Sequence, residues 1–362
     1  MNKKMTPRER FIGIMDYQKV DGLPALAFEP YERTAIDRWA AESINPDFSP
    51  EEALGIAELI KVPVNLSPNP RFEHRIFEET DEFIIESDTT FGAKVKKMKS
   101  APSMYYGFLD HQVKTAEDWK RIRFRYEENP KGRIPRNIDE VAVSLNSSDK
   151  PVKLEIFPYF FRLGFYLMGM ERFMLAFYDQ PSLIHEMFSF WNGLTIDMIK
   201  PFLSKVDIDV FVLAEDLAYN RGPHLSPEIY KEFWLPYQDR LISEVKSHHV
   251  ENICLWSAGD IDGMIPLLLD HGINCIWPVE RCSPNMDPIV LREKYGRDLR
   301  MGGGIPRSFL PLGPDAVDAE IERLMPLILD GGFIPAMDDM VSHEVSLESY
   351  SHYVNRLKSV KL

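Results

Sequence analysis

Two adjacent acids, Glu215 and Asp216, closely follow the apolar run at residues 210–213. Such a run predicts a buried strand, so both carboxyl groups are expected where the strand ends and a polar loop begins. Burial raises the pKa of a carboxylic acid, and an acid of raised pKa can protonate a departing oxygen. The pair is therefore a candidate general acid, although a capping or ion-pairing role explains an isolated acidic pair equally well.

Other short apolar runs in the C-terminal half end in the same way. Trp256, Glu280 and Asp338 each stand just beyond such a run. The carboxyl ends of parallel barrel strands meet at one face, where barrel enzymes place their active sites. The sequence therefore predicts an acidic mouth that Glu215, Asp216, Glu280 and Asp338 share.

Helix signals alternate with these apolar runs along the chain. Ser226 can cap a helix that has Pro227 at its first position. Thr6 and Glu9 have the spacing of a capping box at the start of a first helix. Alternating strands and helices are typical of an α/β barrel, in which each strand is followed by a helix.

The region from about residue 70 to 110 breaks this alternation of strands and helices. Apolar and polar residues alternate there, which predicts antiparallel β-hairpins. We therefore predict an α/β fold, a (β/α)8 TIM barrel with N-terminal helical and β-hairpin insertions. Residues 1–362 are expected to form it as a single domain, with the hairpins as an insertion at about 70–110.

Composition excludes several classes of protein. The 362 residues include 42 Lys and Arg against 56 Asp and Glu, and a net charge of −14 argues against binding to nucleic acid or to an anionic membrane. The cysteines, Cys254, Cys275 and Cys282, form no C-x-x-C pair, so neither a disulfide framework nor a thiolate zinc cage is indicated. Neither a signal peptide nor a membrane-spanning apolar run is evident, and a cytoplasmic protein is expected.

An aromatic cluster that includes Phe157 and Tyr159 follows the apolar run that carries Glu155. Such a cluster can wall an apolar ligand pocket, and on that interpretation Phe157 and Tyr159 are candidate substrate contacts. Helix packing is the alternative, because aromatic residues at this spacing also fill protein cores.

Several segments, taken in their order and spacing, resemble the uroporphyrinogen decarboxylase superfamily over nearly the whole chain. They are TPRERFIGIM, VDGLP, FLDHQVKTAEDW, LMGMERFMLAFYDQP, AEDLAYNRGPHLSPEIYKEFWLPY, GDIDGMIPLLLDHGIN, PNMDPIVLREKYG, MGGGI and DGGFIPAMDD. The resemblance implies a (β/α)8 barrel, often dimeric. It also implies an enzyme, because the superfamily contains decarboxylases and corrinoid-dependent methyltransferases.

The chain departs from two branches of that superfamily. The decarboxylases hold a polycarboxylate substrate with an arginine-containing segment near the N-terminus, whereas here Glu29 and Glu32 lie beside Arg33. An acidic entrance repels such a substrate. Thiol-activating methyltransferases bind zinc through His and Cys, but Trp256 and Ala258 stand at the matching positions, so zinc bound by Cys and His ligands is not expected.

The segment EDLAYNRGPHLSP resembles the subgroup that demethylates methyl ethers, particularly methoxylated aromatics, and passes the methyl group to a separate corrinoid protein. The resemblance implies a displacement at the methyl carbon, with Glu215 or Asp216 protonating the departing oxygen. It also suggests Tyr219 and Asn220 as hydrogen-bond donors and Trp256 as a stacking surface. Packing explains Tyr219 and Trp256 equally well, and a turn explains Asn220.

Our prediction is a corrinoid-protein-dependent methyltransferase that takes the methyl group from a small O-methyl compound. Its partners are a corrinoid-binding protein and the methyl donor, and a homodimer is compatible with the family. One alternative is a lyase that acts on a smaller carboxylate substrate, and another is a barrel that binds a partner without catalysis. A hard or borderline metal could also act as a Lewis acid, and its candidate ligands are Glu215, Glu280, Asp338 and His224.

Overall fold

The computed structural model describes residues 4–28, 31–100, 106–127 and 130–362. Glu29, one of the two acids at the expected entrance, lies outside these residues. Within the described ranges, every helix is too short or too polar to cross a membrane.

Among the described residues, eight short parallel strands form the centre of the fold. In chain order they are β1 (Leu26–Ala27), β2 (Ala57–Glu58 with Ile60–Lys61), β3 (Val152–Ile156), β4 (Val210–Ala214), β5 (Ile253–Trp256), β6 (Cys275–Val279), β7 (Arg300–Ile305) and β8 (Phe333–Met337). Strand β1 pairs with the first part of β2, and β2 to β8 form one sheet in which successive strands are neighbours. A parallel bridge between Tyr31 and Val341 joins the two ends, so the predicted (β/α)8 barrel is confirmed.

Helices surround the barrel and connect its strands. Within the described ranges the α-helices span Pro7–Met15, Arg33–Ser43, Pro50–Leu54, Ala116–Glu127, Pro130–Arg133, Ile138–Asn146, Phe160–Met168, Met170–Asp179, Pro181–Leu203, Pro227–Phe233, Leu235–Ser247, Ile265–Asp270, Pro288–Tyr295, Pro314–Asp330 and Leu347–Ser359. Both predicted caps are confirmed. The Thr6 hydroxyl accepts a hydrogen bond from the backbone N–H of Glu9 (3.1 Å), and the Glu9 carboxylate accepts one from the N–H of Thr6 (2.6 Å). Ser226 accepts one from the N–H of Ile229 (3.3 Å).

An antiparallel sheet is inserted between β2 and β3. Its described strands pair in chain order and are Ile76–Glu79, Phe83–Ser87, Lys94–Met98 and Tyr106–Asp110. Phe91 stacks on Tyr166, with ring centroids 4.4 Å apart, and Phe108 meets Phe165 edge-on at 5.3 Å. The inserted sheet therefore packs on the Phe160–Met168 helix and holds it over the barrel.

Gly164 marks a place where two helices approach too closely for a side chain. A Cβ atom at this position would lie 2.2 Å from the ring of Phe173, which is completely buried. We expect Gly164→Ala to lower the free energy of unfolding by about 2 kcal/mol, because the cost of overpacking exceeds the gain in helix propensity. Chemical denaturation followed by circular dichroism measures this change.

Gly193 provides the matched control for Gly164. It lies inside the Pro181–Leu203 helix, and a Cβ atom there would meet nothing within 4 Å. Gly193→Ala is expected to raise the free energy of unfolding by about 1 kcal/mol through helix propensity alone. Equal stabilisation by the two substitutions would contradict the close packing at Gly164.

Candidate active site at the mouth of the barrel

A cavity of about 500 Å³ lies at the carboxyl ends of the barrel strands. Its volume suits a small-molecule ligand. Its aromatic and charged lining consists of Phe28, Phe157, Trp256, Lys61, Lys153, Glu155, Arg162 and Asp339. Depressions of about 560 and 1040 Å³ also occur, but their lining residues lie outside the eight barrel strands. We assign the candidate active site to the barrel cavity because it lies at the face that barrel enzymes use.

The ring of Phe28, in the wall of this cavity, packs against a buried tryptophan. Phe28 stacks on Trp277 with ring centroids 4.9 Å apart. Gly302 of β7 makes room for them, since a Cβ atom there would lie 3.0 Å from the Phe28 ring and 3.3 Å from Cβ of Trp277. The first glycine of the MGGGI segment therefore permits close packing inside the barrel.

Two lysines and one acid form the floor of the cavity. The ammonium groups of Lys61 and Lys153 lie 2.5 and 2.7 Å from the carboxylate of Glu155. Lys61 and Lys153 are register partners across β2 and β3, and Glu155 is two residues further along β3. Burial alone would raise the pKa of Glu155, but the two ammonium groups hold it below its ordinary value. The acid is therefore ionised at neutral pH.

Arg162, in the first turn of the Phe160–Met168 helix, forms the rim of the cavity. Its guanidinium lies over the rings of Trp256 (4.4 Å to the centroid) and Phe157 (5.4 Å). Its Nε donates to the backbone carbonyl of Glu215 (3.0 Å), whereas its terminal nitrogens lie 3.5 Å from Asp216 Oδ2 and 3.5 Å from the Tyr166 hydroxyl. The strong bond fixes the side chain, and the long contacts leave its terminal N–H groups able to bind a ligand.

Glu215 is placed differently from the sequence prediction. Only 1% of it is exposed. One carboxylate oxygen accepts from the backbone N–H groups of Phe161 (2.7 Å) and Arg162 (3.4 Å), and the other accepts from the indole of Trp234 (2.9 Å). Burial raises the pKa of Glu215 to about 8 despite these donors. The carboxyl group thus holds the start of the helix that carries Arg162, and it does not line the cavity, so the geometry corrects its assignment as proton donor.

Asp216 remains at the edge of the site. Its side chain is 46% exposed and lies 3.5 Å from the guanidinium of Arg162. Burial raises the pKa of Asp216, although Arg162 and His224 act in the opposite direction. His224 stacks between Phe161 and Tyr219, with centroids 5.2 and 5.4 Å away, and burial lowers the pKa of this imidazole. Of the predicted acidic pair, Asp216 is therefore the member that a ligand could reach.

The other two predicted mouth acids organise loops. Glu280 accepts a hydrogen bond from the backbone N–H of Gly259 (2.7 Å). Asp338 accepts from the backbone N–H groups of Arg307 (2.9 Å) and Arg281 (3.3 Å), and burial raises its pKa to about 6. Their carboxylates satisfy backbone donors, and neither residue lines the cavity.

The predicted acidic mouth is therefore wrong in its charge. Three cationic side chains line the cavity, against the carboxylates of Glu155 and Asp339. The sequence identified acids that follow strands, but most of these carboxylates turn away to backbone N–H groups. The cations were missed because they lie within the strands or in the following helix. One signal was available in the sequence. Lys153 and Glu155 are two residues apart, so on a strand their side chains point to the same face.

Of the predicted aromatic and polar substrate contacts, some line the cavity and others lie outside its lining. Phe157, 40% exposed, and Trp256 both line the cavity. Tyr159 is completely buried, which corrects its assignment as a substrate contact. Tyr219 is 50% exposed on the short hairpin Ala218–Tyr219 and Gly222–Pro223, and Asn220 lies in the turn of that hairpin.

The candidate metal ligands do not form a site. Across the ranges that the structure describes, no group of three or more His, Cys, Asp or Glu side chains has the proximity that a metal ion needs. Glu215, Glu280, Asp338 and His224 consequently do not converge, because each is held by its own backbone or ring contacts. The alternative of a metal bound by these four side chains is therefore not supported by their arrangement.

Comparison with known proteins identifies the family. The model of the uroporphyrinogen decarboxylase (URO-D) family matches residues 91–359. The chain belongs to this family. The match begins inside the inserted sheet and extends into the last helix, so it includes β3 to β8 and most of the cavity lining.

Two curated relatives match shorter parts of the chain. A uroporphyrinogen decarboxylase of Crocosphaera subtropica is 24% identical over 147 residues, which are 40% of this chain and 38% of that protein. A methylated-thiol–coenzyme M methyltransferase of Methanosarcina mazei is 27% identical over 143 residues, 38% of this chain and 35% of that protein. The chain thus matches less than two fifths of the length of either relative.

A solved structure matches the whole fold. The structure described as a methyltransferase from Methanosarcina mazei superposes with a TM-score of 0.59 and covers 98% of both chains, at 14% sequence identity. At this identity the likeness supports the barrel fold with its insertions.

Proposed function

We propose that this protein is a methyltransferase that removes the methyl group of a methoxylated aromatic compound and transfers it to a corrinoid held by a separate protein. The observation that carries the proposal is the rim of the cavity, where the guanidinium of Arg162 lies over Trp256 and Phe157. This arrangement offers a flat apolar surface for an aromatic ring beside a fixed positive charge. The methyltransferase names of the matched relative and of the solved structure support the same reaction class.

The open side of the barrel would give a corrinoid acceptor access to the substrate. When bound, a reduced corrinoid supplies a strongly nucleophilic metal centre for the methyl group. The chain supplies access to the substrate, since Phe157 in the cavity lining is 40% exposed. The aromatic walls orient the ether so that its methyl group faces this opening.

The departing oxygen needs stabilisation, because breaking its bond to the methyl group leaves a phenolate. Arg162 is suited to this role, since a guanidinium keeps its charge at all physiological pH values and this side chain lines the cavity. Asp216 lies beside it, and burial raises its pKa, so it is the candidate donor of the proton that converts the phenolate to the phenol.

The proposal is tested by mixing the protein with cob(I)alamin and a panel of methoxyphenols and methoxybenzoates. We expect loss of the Co(I) absorption together with formation of methylcobalamin and the free phenol. The corresponding phenols without a methyl group are the control and should give no change. Failure across a broad panel would overturn the proposal, and release of carbon dioxide from the same compounds would favour the alternative lyase.

The same assay identifies the proton donor. A donor must be protonated, so kcat should fall as pH rises through the raised pKa of Asp216. Asp216→Asn should lower kcat and abolish that dependence on pH, whereas Asp37→Asn, an exposed aspartate of the Arg33–Ser43 helix, should retain it. Identical pH profiles for Asp216→Asn and the wild type would exclude Asp216 from this role.

A further inference from the structure

Among the described residues, the floor of the cavity holds more positive than negative charge. Lys61 and Lys153 share one carboxylate there, that of Glu155. Asp339, the other acid of the lining, is paired with Arg307 at 3.1 Å. Within the part of the chain that the structure describes, one positive charge on the floor is therefore in excess, in a protein whose net charge is −14.

Part of this charge is removed from solvent. The side chains of Lys153 and Glu155 are 20% and 17% exposed, whereas that of Lys61 is 45% exposed. Holding an uncompensated cation at such a place costs solvation free energy, and an anion that enters the cavity offsets that cost. Two ammonium groups side by side on adjacent strands also match the two oxygens of one carboxylate.

The floor and the rim form two ends of the cavity. Lys153 lies four residues before Phe157 along the β3 segment, which places their Cα atoms roughly 13 Å apart. Lys61 and Lys153 line this cavity together with Arg162 and Trp256 of the rim. An aromatic ring between the two ends would therefore present one substituent to the rim and another to the floor.

We propose that Lys61 and Lys153 bind a carboxylate on the aromatic ring, so that the substrate is a methoxybenzoate and not a neutral methoxyarene. This inference rests on the proposed function for the identity of the methyl donor. The ether oxygen lies at Arg162, where the methyl group faces the open mouth, and the ring carboxylate lies on the lysine floor. Binding at the floor thereby sets the position of the reacting ether.

Calorimetric titration with 4-methoxybenzoate and 4-methoxybenzamide tests the carboxylate site, because the two compounds have nearly the same shape but different charge. We expect the acid to bind more tightly by about 10- to 100-fold, the effect of a charge-assisted hydrogen bond. Lys61→Met and Lys153→Met should each reduce this ratio towards one. Lys150→Met is the matched control, since that lysine lies just before β3, pairs with Glu58 and stands outside the cavity.

Glu155→Gln gives a result that a purely structural role of the floor would not produce. Removing the shared carboxylate frees both lysines, so the affinity for the acid should rise by about tenfold while the lysine substitutions lower it. Equal affinities for acid and amide in the wild type would overturn the inference. Melting curves verify that each variant is folded, and Lys61→Met, on the more exposed lysine, remains informative if Lys153→Met does not fold.

The calorimetry also separates this inference from the proposed function. Tight binding of the acid without methyl transfer to cob(I)alamin would support the carboxylate site and overturn the demethylation. Methyl transfer from acid and amide with equal kcat/KM would support the demethylation and overturn the carboxylate site.

Discussion

Arg162→Met is expected to lower kcat for methyl transfer by about two to three orders of magnitude, the usual effect of removing a fixed donor from a developing oxyanion. Methionine keeps much of the volume against Trp256 and Phe157 but removes the charge beside the departing oxygen. The loss should therefore appear in kcat more than in KM. Steady-state kinetics with cob(I)alamin as acceptor separate the two.

Arg162→Lys distinguishes charge from geometry. Lysine retains the positive charge but not the planar group that stacks on Trp256, and it loses the bond from Nε to the Glu215 carbonyl. We expect an activity between those of the wild type and Arg162→Met. Arg121→Met is the control, because Arg121 is 68% exposed on the Ala116–Glu127 helix. A kcat for Arg162→Met equal to that of the control would remove Arg162 from the mechanism.

Glu215→Ala is expected to lower the free energy of unfolding by about 4 kcal/mol, because it leaves the N–H groups of Phe161, Arg162 and Trp234 without an acceptor in the core. Glu215→Gln keeps the shape but replaces one acceptor oxygen with an NH₂ group, so a cost of about 2 kcal/mol is expected. Urea denaturation measures both values. If Glu215→Gln folds as stably as the wild type and yet has no activity, Glu215 is catalytic after all.

Glu215→Gln should also change how the free energy of unfolding depends on pH. Burial raises the pKa of Glu215 from an ordinary 4.5 to about 8 in the folded protein, so the folded state keeps a proton that the unfolded state releases. The contribution of the Glu215 proton to the free energy of unfolding is fully present below about pH 4.5 and is lost as pH rises to 8. The free energy of unfolding changes by on the order of 5 kcal/mol over this range.

Unfolding curves at several pH values between 5 and 8 measure this contribution. Asp338, whose pKa burial raises to about 6, acts with the same sign, so the comparison must be between variants. Glu215→Gln cannot ionise, and its stability should fall less steeply with pH than that of the wild type. Glu117→Gln, at a position that is 80% exposed, is the control and should keep the wild-type slope. Equal slopes for Glu215→Gln and the wild type would show that Glu215 is ionised throughout.

Local features of the chain were predictable because they depend on neighbouring residues. Capping of the first helix by Thr6 and of the Pro227–Phe233 helix by Ser226 follows from short-range hydrogen bonds. The apolar run that became β4 is buried along its whole length, as its composition predicts. Strand β2 was not predicted, since its two pieces of two residues each are too short for an alternating pattern.

The sequence by itself determined the barrel, its inserted sheet and two aromatic residues of the cavity, Phe157 and Trp256, because periodicity and position after a strand are properties of the chain. Tertiary structure alone decided the charge of the site. A carboxylate after a strand looks the same in sequence whether it faces a ligand or, like Glu215, accepts hydrogen bonds from a neighbouring helix. Lys61 and Lys153 are far apart in sequence and meet only through the pairing of β2 with β3, so their joint charge exists only in the folded barrel.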